Sequence, residues 1–387
     1  MLRLISMCIS NLGPFYGAQL IDLSSTPNTP VSLIVGANGS GKTSIITALG
    51  WGLYGKEYQT RHHLVINKAA TKAGIKLAFV ELIFRYGERL YTLKRLLETQ
   101  ENTHPKGSKN SLIILDITDV TTPVGLDNPQ SLINSILPLG VAKLTLLNSE
   151  RIGDLVNENS GSAAIAEAID TVLALYLNTI TVKNTSVDIK QYQTTKEVLR
   201  KIERAVNELL QDLDQSKALR LLGNEGSIKF DDSRRITISL AGSRPNLSTS
   251  QIELLGIITL CETLNIISDE FFKLRYLENE LPWRPSLVLD YPYLMDQDYL
   301  YITLTYLSNI NFPLILISSP LNIKNIASHE IFSKKINFVS ALVMHEQESR
   351  ILPDIGFEMN GVYTALLVAG SSFEGTEVKR IGWQSSN

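Results

Sequence analysis

The chain has 387 residues, of which 44% are hydrophobic and 19% are charged, and its formal net charge is −3. This composition is typical of a globular protein of one large or two modest domains. The net negative charge excludes binding to nucleic acid through overall charge alone. Two distant cysteines, Cys8 and Cys261, exclude a disulfide framework and a cysteine-pair zinc hook. Because the sequence shows neither a signal-peptide pattern nor a membrane-length apolar run, we expect a cytoplasmic protein without a membrane partner.

The first predicted elements are strands at residues 2–9, 18–23 and 31–35, which are short apolar runs rich in β-branched residues. The third strand leads into residues 36–43, which spell G-x-x-x-x-G-K-T, and an apolar helical pattern follows. Strand, glycine-rich turn and helix in this order are typical of a phosphate-binding loop, in which backbone N–H groups and the helix N-terminus face the phosphates. We therefore expect the chain to bind ATP or GTP.

Two side chains of this loop have specific expected roles. Lys42 is predicted to reach the β- and γ-phosphates, and the Thr43 hydroxyl is predicted to ligate Mg²⁺. The other candidate nucleotide contacts lie in the same loop and the first helical turn: Gly36, Asn38, Gly39, Ser40, Gly41 and Ser44.

The middle of the chain is predicted to change from strand to helix. Three further strands are expected at residues 77–84, 89–96 and 111–117, and the pattern becomes helical from Ala163. Apolar residues then alternate spacings of three and four, as at the seam of a coiled coil: Leu199, Ile202, Val206, Leu209 and Leu213. An amphipathic helix that packs on its own domain has the same spacing, so both interpretations remain open. A glycine-containing break at residues 223–226 precedes a predicted strand at residues 236–240.

The last third of the chain carries a second set of polar motifs. A polar turn opens a long apolar helix at residues 246–264, and Asp290 ends an apolar strand at residues 286–289. Another apolar strand follows at residues 313–319. An apolar strand that ends in Asp is common in α/β proteins, but together with a phosphate loop it predicts a second carboxylate beside the magnesium.

These motifs resemble those of the ABC-type ATPase heads of the SMC, RecF and DndD-like family, and the resemblance is closest to DndD-like proteins. It is carried by ISNLGPFYG (residues 9–17), by GANGSGKTS, by the hairpin VELIFRYGERLYTLKR (residues 80–95), and by LTLLNSERIGDLV (residues 144–156) at the Q-loop position. LSTSQ (residues 247–251) resembles the signature motif, and LVLD (residues 287–290) resembles the Walker B strand.

The resemblance implies an α/β P-loop head with mixed sheets, a helical lobe and a short helical or coiled-coil insert. An N-terminal ATPase lobe is expected at residues 1–160, the insert at 161–230, and a C-terminal lobe at 231–387. The insert is too short for the long arms of SMC proteins and is closer in length to the short arm of RecF. Two heads would sandwich two ATP molecules and Mg²⁺, with each phosphate loop facing the signature residues Ser248, Ser250 and Gln251 of the partner. The resemblance also places Asn11 near the nucleotide base.

The sequence departs from the family pattern at the positions that govern hydrolysis. Tyr291 follows Asp290 where most such heads have a catalytic glutamate, although DndD-like heads commonly lack it. Asn148 occupies the Q-loop position, where its amide is expected to orient a metal-bound water, and Glu150 is the nearby carboxylate that we expect to act as the base. These departures predict slow hydrolysis.

Other departures concern the signature motif and the segments after Walker B. Thr249 and Ser250 replace the usual small residues of the signature motif, Asp296 lies one residue closer to Walker B than is usual, and residues 318–320 contain no switch histidine.

Three functions are compatible with this pattern. The first is a DNA-associated ATPase of repair or phage defence that works with a partner subunit such as a nuclease, because the sequence shows no nuclease cluster of its own. The second is a non-hydrolysing, ATP-gated scaffold that holds an effector protein. The third, a transporter subunit, is the least well supported of the three functions. The signature motif is not a full LSGGQ, and a helical insert divides the head. The candidate surfaces for DNA are two basic sets: Lys68, Lys72 and Lys76, or Arg85, Arg89, Lys94 and Arg95.

Overall fold

The computed structural model describes residues 2–37, 39–58, 64–87, 89–98, 110–117, 128–147, 152, 154–156, 161–182, 195–215, 226–230, 236–240, 247–269, 284–290, 296–319, 322–346 and 373–381. The chain divides into two compact units. The first combines Met1–Ile136 with Pro285–Tyr293 and Phe312–Asn387, so it joins both ends of the chain. The second contains Leu137–Arg284 and Leu294–Asn311.

An antiparallel sheet forms one half of the first unit, with the strand order β2-β1-β4-β5-β6. Its strands are β1 (Leu2–Leu12), β2 (Phe15–Asp22), β4 (Leu77–Tyr86), β5 (Arg89–Glu98) and β6 (Asn110–Ile117). Buried and half-exposed residues alternate along β4 and β5, as expected for strands with one face against the core.

A second sheet of the first unit has the order β13-β12-β3-β11-β10. Its strands are β3 (Val31–Gly36), β10 (Leu287–Asp290), β11 (Leu314–Ser318), β12 (Ile336–Glu346) and β13 (Phe373–Ile381). The four strands β12, β3, β11 and β10 are parallel, and β13 is antiparallel to β12. Every residue of β3, β10 and β11 is buried, which is why these strands read as continuous apolar runs. The strand predictions from sequence are confirmed, whereas β12 and β13 were not predicted.

The helices of the first unit are α1 (Lys42–Tyr54), α2 (Lys68–Lys72), α3 (Pro129–Ile136), α9 (Ile323–Ser328) and α10 (Glu330–Ser333), with a 3₁₀ turn at Gly55–Glu57. Helix α1 packs on β4 and β5. At Gly52 a side chain would come within 3.0 Å of Val80 and Leu82, so this glycine allows the helix to lie close to the sheet.

The second unit is mostly helical. Its helices are α4 (Leu139–Thr145), α5 (Gly161–Val182), α6 (Thr195–Gln215), α7 (Thr249–Ile267) and α8 (Gln297–Asn309), and its strands are β7 (Leu146–Leu147), β8 (Gly226–Phe230) and β9 (Ile236–Leu240). Strands β8 and β9 form an antiparallel hairpin.

Helix α6 carries the apolar spacing that suggested a coiled coil, and it packs against α7 and β8 of its own unit. Leu199, Ile202 and Val206 are buried in this packing. Two polar side chains of α6 also bind the backbone of β8: Asn207 exchanges two hydrogen bonds with Ile228, at 2.8 and 2.9 Å, and Glu203 accepts one from Phe230 N at 3.0 Å. Packing within the unit therefore accounts for these three positions of the spacing, and the second of the two interpretations from sequence fits this part of the helix.

One described helix, α7, is long and apolar enough to cross a membrane by length and composition. However, 72% of its apolar window is buried inside the protein, as in the core helix of a globular fold.

Candidate nucleotide-binding site

The loop between β3 and α1 has the backbone conformation that its glycines predict. Gly39 and Gly41 have φ angles of 83° and 99°, in the left-handed region that favours glycine. A side chain at Gly41 would also lie 2.7 Å from Pro14 Cγ, in the turn between β1 and β2. Position 41 therefore requires glycine for two independent reasons, conformation and space.

The N-terminus of α1 is left open to an anion. Gly41 is the N-cap residue and forms no side-chain cap, and the first turn contains no acidic residue. The first N–H groups of a helix have no partner within the helix, and the helix dipole adds positive potential there. Lys42, Thr43 and Ser44 begin this helix, so a phosphate group is the chemistry that this end favours.

Lys42 and Asp290 lie at the same edge of the parallel sheet. Strands β10 and β3 are both paired with β11, so Asp290 is in register with Ile317 and, through it, with Ile34. Neighbouring strands are about 4.8 Å apart, which places the end of β10 roughly 10 Å from the end of β3. Asp290 is only 7% exposed.

The ammonium group of Lys42 is held at this edge by the loop itself. Its Nζ donates to the carbonyl oxygens of Gly36 and Ala37 at 2.8 and 3.0 Å. Burial lowers the pKa of Lys42, and the negative charge of Asp290 acts in the opposite direction. An ammonium, the Thr43 hydroxyl and the Asp290 carboxylate together provide the groups that a nucleotide phosphate with Mg²⁺ requires.

The turn between β1 and β2 borders this loop and contains one further candidate. Asn11 has a φ angle of 53°, and its Oδ1 accepts a hydrogen bond from Gly17 N at 2.9 Å, so its side chain stabilises the turn. Its contact with the base remains a prediction. Sequence reasoning did not single out Tyr16, which is 41% exposed on the solvent face of β2 beside this turn.

The signature residues begin α7 in the second unit. Ser248 is the N-cap: its Oγ accepts from Gln251 N at 3.3 Å, and Gln251 Oε1 accepts from Ser248 N at 2.7 Å. This reciprocal capping box fixes the start of the helix. Ser248 is exposed, so the sequence folds to present a hydroxyl at a helix N-terminus on the surface.

Ser250 has a different environment from Ser248. It is 3% exposed, and its Oγ accepts from Asp296 N, the N-cap residue of α8, at 3.0 Å. Ser250 thus joins the signature helix to the D-loop position. The predicted nucleotide contacts of Ser248, Ser250 and Gln251 remain predictions, because they require a partner head.

One turn further along α7 lies a buried carboxyl group that the sequence did not indicate. Glu253 is 9% exposed, and its Oε2 has no hydrogen-bond partner in the described part of the chain. Burial raises the pKa of Glu253 to about 7. Three residues on, a side chain at Gly256 would collide with the carbonyl oxygen of Ile152, so the backbone of the segment at the predicted Q-loop position (residues 144–156) packs against α7 here.

We expect Glu253→Gln to stabilise the protein at pH 8 by about 2 kcal/mol, because an amide has no charge to bury. The unfolded chain releases the Glu253 proton near pH 4.5, whereas the folded chain keeps it up to about pH 7. The free energy of unfolding of the wild type should therefore fall as the pH rises from 4.5 to about 7. The free energy of unfolding of Glu253→Gln should not show this decrease. Urea unfolding at pH 5 and pH 8 measures both effects. Glu208→Gln, at an exposed position of α6, is the matched control, and equal pH slopes for the wild type and the Glu253 variant would contradict the assignment.

Comparison with known proteins identifies the family of the chain. The sequence profile of the AAA_23 family, described as an AAA domain, matches residues 6–227, which is more than half of the chain. The chain belongs to the AAA_23 family. The matched span of this AAA domain contains the phosphate loop and ends before α7 and Asp290.

Three curated proteins are similar to this AAA_23 chain over short segments. The SbcC subunit of the nuclease SbcCD from Treponema pallidum is 33% identical over 92 residues, which are 24% of this chain and 9% of that protein. The DNA double-strand break repair Rad50 ATPase of Thermoplasma acidophilum is 35% identical over 89 residues, 23% of this chain and 9% of the relative. The SbcC subunit from Vibrio cholerae is 38% identical over 55 residues, 14% of this chain and 5% of the relative. The matches thus span less than a tenth of each relative, and they support an SMC/Rad50-like P-loop family without singling out DndD-like proteins.

Several predicted site residues of this AAA_23 protein lie outside the described residues: Asn38, Asn148, Glu150 and Tyr291. Their roles remain predictions. Among the described residues, no group of three or more His, Cys, Asp or Glu side chains could hold a metal ion.

The structure corrects one of the two candidate DNA surfaces. Arg95 is 4% exposed and donates to the carbonyl oxygens of Gly52 and Leu53, so it is a core residue and not a DNA contact. Lys94 forms an ion pair with Glu81 at 3.0 Å and lies 4.0 Å from the centre of the Phe79 ring. Arg85 and Arg89 remain exposed.

Proposed function

We propose that this protein is an SMC/Rad50-like ATPase head that dimerises around ATP and Mg²⁺ and couples ATP binding or slow hydrolysis to DNA-associated work in the cytoplasm. That work is repair or anti-phage defence, carried out with a partner subunit such as a nuclease or another effector. A DndD-like role is the more specific form of this proposal.

The observation that carries the proposal is the position of Lys42 and Asp290 at one edge of the parallel sheet. The loop holds the Lys42 ammonium beside the helix N-terminus, and the Asp290 charge acts on it. In P-loop ATPases the Lys neutralises the phosphates, while the Thr after it and an Asp at a nearby strand end hold Mg²⁺. Thr43 and Asp290 are the corresponding groups here, and the bound Mg²⁺ would neutralise charge on the phosphates.

Dimerisation is supported by the second unit. Ser248 presents an exposed hydroxyl at the N-terminus of a 19-residue helix, whose dipole favours an anion. A partner's γ-phosphate is the anion that the family arrangement would place there. Loss of that phosphate after hydrolysis removes the contact, so the two nucleotide states would differ in dimer affinity.

The names of the relatives support the DNA-associated part of the proposal. One is a nuclease subunit and another is a DNA double-strand break repair ATPase. We assign DNA cutting to a partner subunit, because the sequence shows no nuclease motif of its own.

Tyr291 favours the second candidate, a non-hydrolysing scaffold gated by ATP. A phenol with a pKa near 10 is a poor general base at neutral pH, and the usual glutamate is absent from this position. Glu150, with Asn148 orienting water, is the substitute base that we propose for slow turnover. Phosphate release measured with and without DNA separates the two candidates, because a scaffold releases none under either condition.

We expect Ser248→Asp to prevent ATP-dependent dimerisation. Aspartate caps a helix as well as serine does, so α7 should remain intact. Its carboxylate would, however, face the partner's triphosphate, and like charges brought together at an interface cost several kcal/mol, which weakens the dimer by about 100-fold or more. Light scattering with a non-hydrolysable ATP analogue measures the mass.

The matched control for this experiment is Ser248→Asn, which caps the helix without adding charge. The wild type should double its mass with the analogue, and the Asn variant should still form dimers. A wild type that stays monomeric at high protein and analogue concentration, or an Asp variant that dimerises like the wild type, would contradict the sandwich.

A further inference from the structure

One hydrogen bond joins the starts of two helices in the second unit. The backbone N–H of Asp296, the N-cap residue of α8, donates to the Oγ of Ser250 in the first turn of α7 at 3.0 Å. Both positions depart from the family pattern, in which residue 250 would be small and the aspartate would lie one place further along. Glycine or alanine at position 250 would have no side-chain oxygen to accept this bond. The two departures therefore form a single contact.

A second hydrogen bond shows how α7 and α8 are arranged. About three turns beyond Ser250, the Tyr306 hydroxyl of α8 donates to Glu262 Oε1 of α7 at 2.9 Å. The two helices also pack against each other. Because the first bond joins the starts of both helices and the second bond joins later residues of both, the helices run in the same direction. The two N-termini therefore lie side by side.

The two N-termini present groups of opposite character. The first turn of α7 has no acidic residue, and its N-cap Ser248 is exposed, so this terminus favours an anion. Asp296 is also exposed, and its carboxylate forms no cap hydrogen bond with α8. A carboxylate that its own helix does not use is available to a hydrogen-bond donor or a cation. A partner that carries an anion beside a donor would fit both groups at once.

The Ser250 side chain is buried beneath this surface. It is only 3% exposed, and its oxygen accepts from the neighbouring helix. The capping box of Ser248 and Gln251 fixes the start of α7, and the Ser250 hydroxyl fixes the start of α8 against it. Without that oxygen, the N–H of Asp296 loses a partner that the folded chain provides. The position of Asp296 relative to Ser248 therefore depends on the Ser250 hydroxyl.

We propose that Ser250 is a positioning residue for ATP-dependent dimerisation and not a contact of the nucleotide. Its hydroxyl sets the position of the Asp296 carboxylate relative to the Ser248 hydroxyl, so that a partner head with its bound nucleotide meets both groups already in place. Groups that are positioned before association reduce the cost of ordering an interface. The inference rests on the dimer proposed above and adds the residue that organises its surface.

The test compares two variants that each remove one hydrogen bond between α7 and α8. Ser250→Ala removes the bond at the helix starts, and Tyr306→Phe removes the bond to Glu262 about three turns away. Light scattering over a series of protein concentrations, with a non-hydrolysable ATP analogue and Mg²⁺, measures the dimer affinity. Urea unfolding and the binding of a fluorescent ATP analogue at low protein concentration are measured for each protein in parallel.

We expect Ser250→Ala to weaken the dimer about tenfold, because the loss of one hydrogen bond that orders an interface has an effect of this size. Tyr306→Phe should weaken the dimer by less than about twofold, since the bond that it removes lies away from the helix starts. All three proteins should bind the fluorescent ATP analogue equally as monomers. A purely structural role of Ser250 would weaken both dimers equally, and that result, or an unchanged Ser250→Ala dimer, would overturn the proposal.

A double-mutant cycle tests whether Ser250 acts through Asp296. Asp296→Ser removes the carboxylate, keeps a good N-cap for α8 and leaves the backbone N–H in place. If Ser250 acts by positioning the carboxylate, adding Ser250→Ala to the Asp296→Ser protein should weaken its dimer by less than about twofold. A further loss of about tenfold in that protein would show that Ser250 contacts the nucleotide directly, and the proposal would be wrong.

The failure of this inference can be told apart from the failure of the proposed function. A wild type that stays monomeric with the analogue at high protein concentration would remove the dimer itself. A wild type that forms dimers, together with a Ser250→Ala protein of the same dimer affinity, would remove the positioning role alone.

Discussion

Replacing Lys42 by alanine should weaken the binding of ATP with Mg²⁺ by about 100-fold or more, because charge-assisted hydrogen bonds to phosphate contribute roughly 1.5–3 kcal/mol each. The ammonium group is already positioned for this role, since Gly36 O and Ala37 O hold its Nζ at the edge where Asp290 lies. Calorimetric titration with a non-hydrolysable ATP analogue and Mg²⁺ measures the loss.

The control for this variant is Lys68→Ala, which removes an exposed lysine from the same unit. Its affinity for the nucleotide should equal that of the wild type. Far-ultraviolet circular dichroism should show that Lys42→Ala is folded, because the contacts of Nζ with described residues are hydrogen bonds to two loop carbonyls. Wild-type affinity in the Lys42 variant would show that the nucleotide binds elsewhere.

The phosphate loop could be predicted from sequence because its geometry is local. Eight consecutive residues contain the two left-handed glycines, the lysine and the start of the helix, so the motif itself can be recognised in one short stretch. Asp290 could be predicted for a related reason, since parallel strands end at the same edge of a sheet whatever their separation along the chain.

Other features could not be predicted because they depend on distant contacts. The hydrogen bond between Ser250 and Asp296 joins residues 46 positions apart, and the sequence showed only two polar residues in separate motifs. The spacing along α6 fitted a coiled coil and a packed helix equally well, and only the contacts with α7 and β8 distinguish them. Glu253 resembled any other helical glutamate until its burial was known.

Arg95 is the clearest case of a role that sequence pattern could not reveal. Arg95 directly follows Lys94 on β5, and both residues belong to a hairpin rich in basic residues. Adjacent residues of a strand face opposite sides, so Lys94 forms a surface ion pair while Arg95 enters the core. There, Arg95 Nε and Nη2 bind Gly52 O and Leu53 O at 3.0 and 3.3 Å, and Nη2 also binds Gln130 Oε1 at 3.0 Å.

These contacts place a positive charge at the C-terminus of the helix whose N-terminus forms the phosphate loop. The last carbonyl groups of a helix have no partner within it, and the dipole is negative there. Burial lowers the pKa of Arg95 to about 10, and the charge of Glu57 raises it. Arg95 therefore remains charged at neutral pH. Helix α1 has an opening for an anion at one end and a buried cation at the other.

We expect Arg95→Met to destabilise the protein by about 2–3 kcal/mol, because it leaves buried carbonyl oxygens without the charged donor that they accept from. Methionine fills much of the volume of the Arg95 side chain, but it leaves Gly52 O and Gln130 Oε1 without the hydrogen-bond donor that Arg95 provides. Lys94→Met, on the next residue of the same strand, should cost less than about 1 kcal/mol, because its ion pair with Glu81 is about one-third exposed. Urea unfolding of the three proteins measures the difference. Equal stabilities of the two variants would show that the buried contacts of Arg95 do not hold the end of α1.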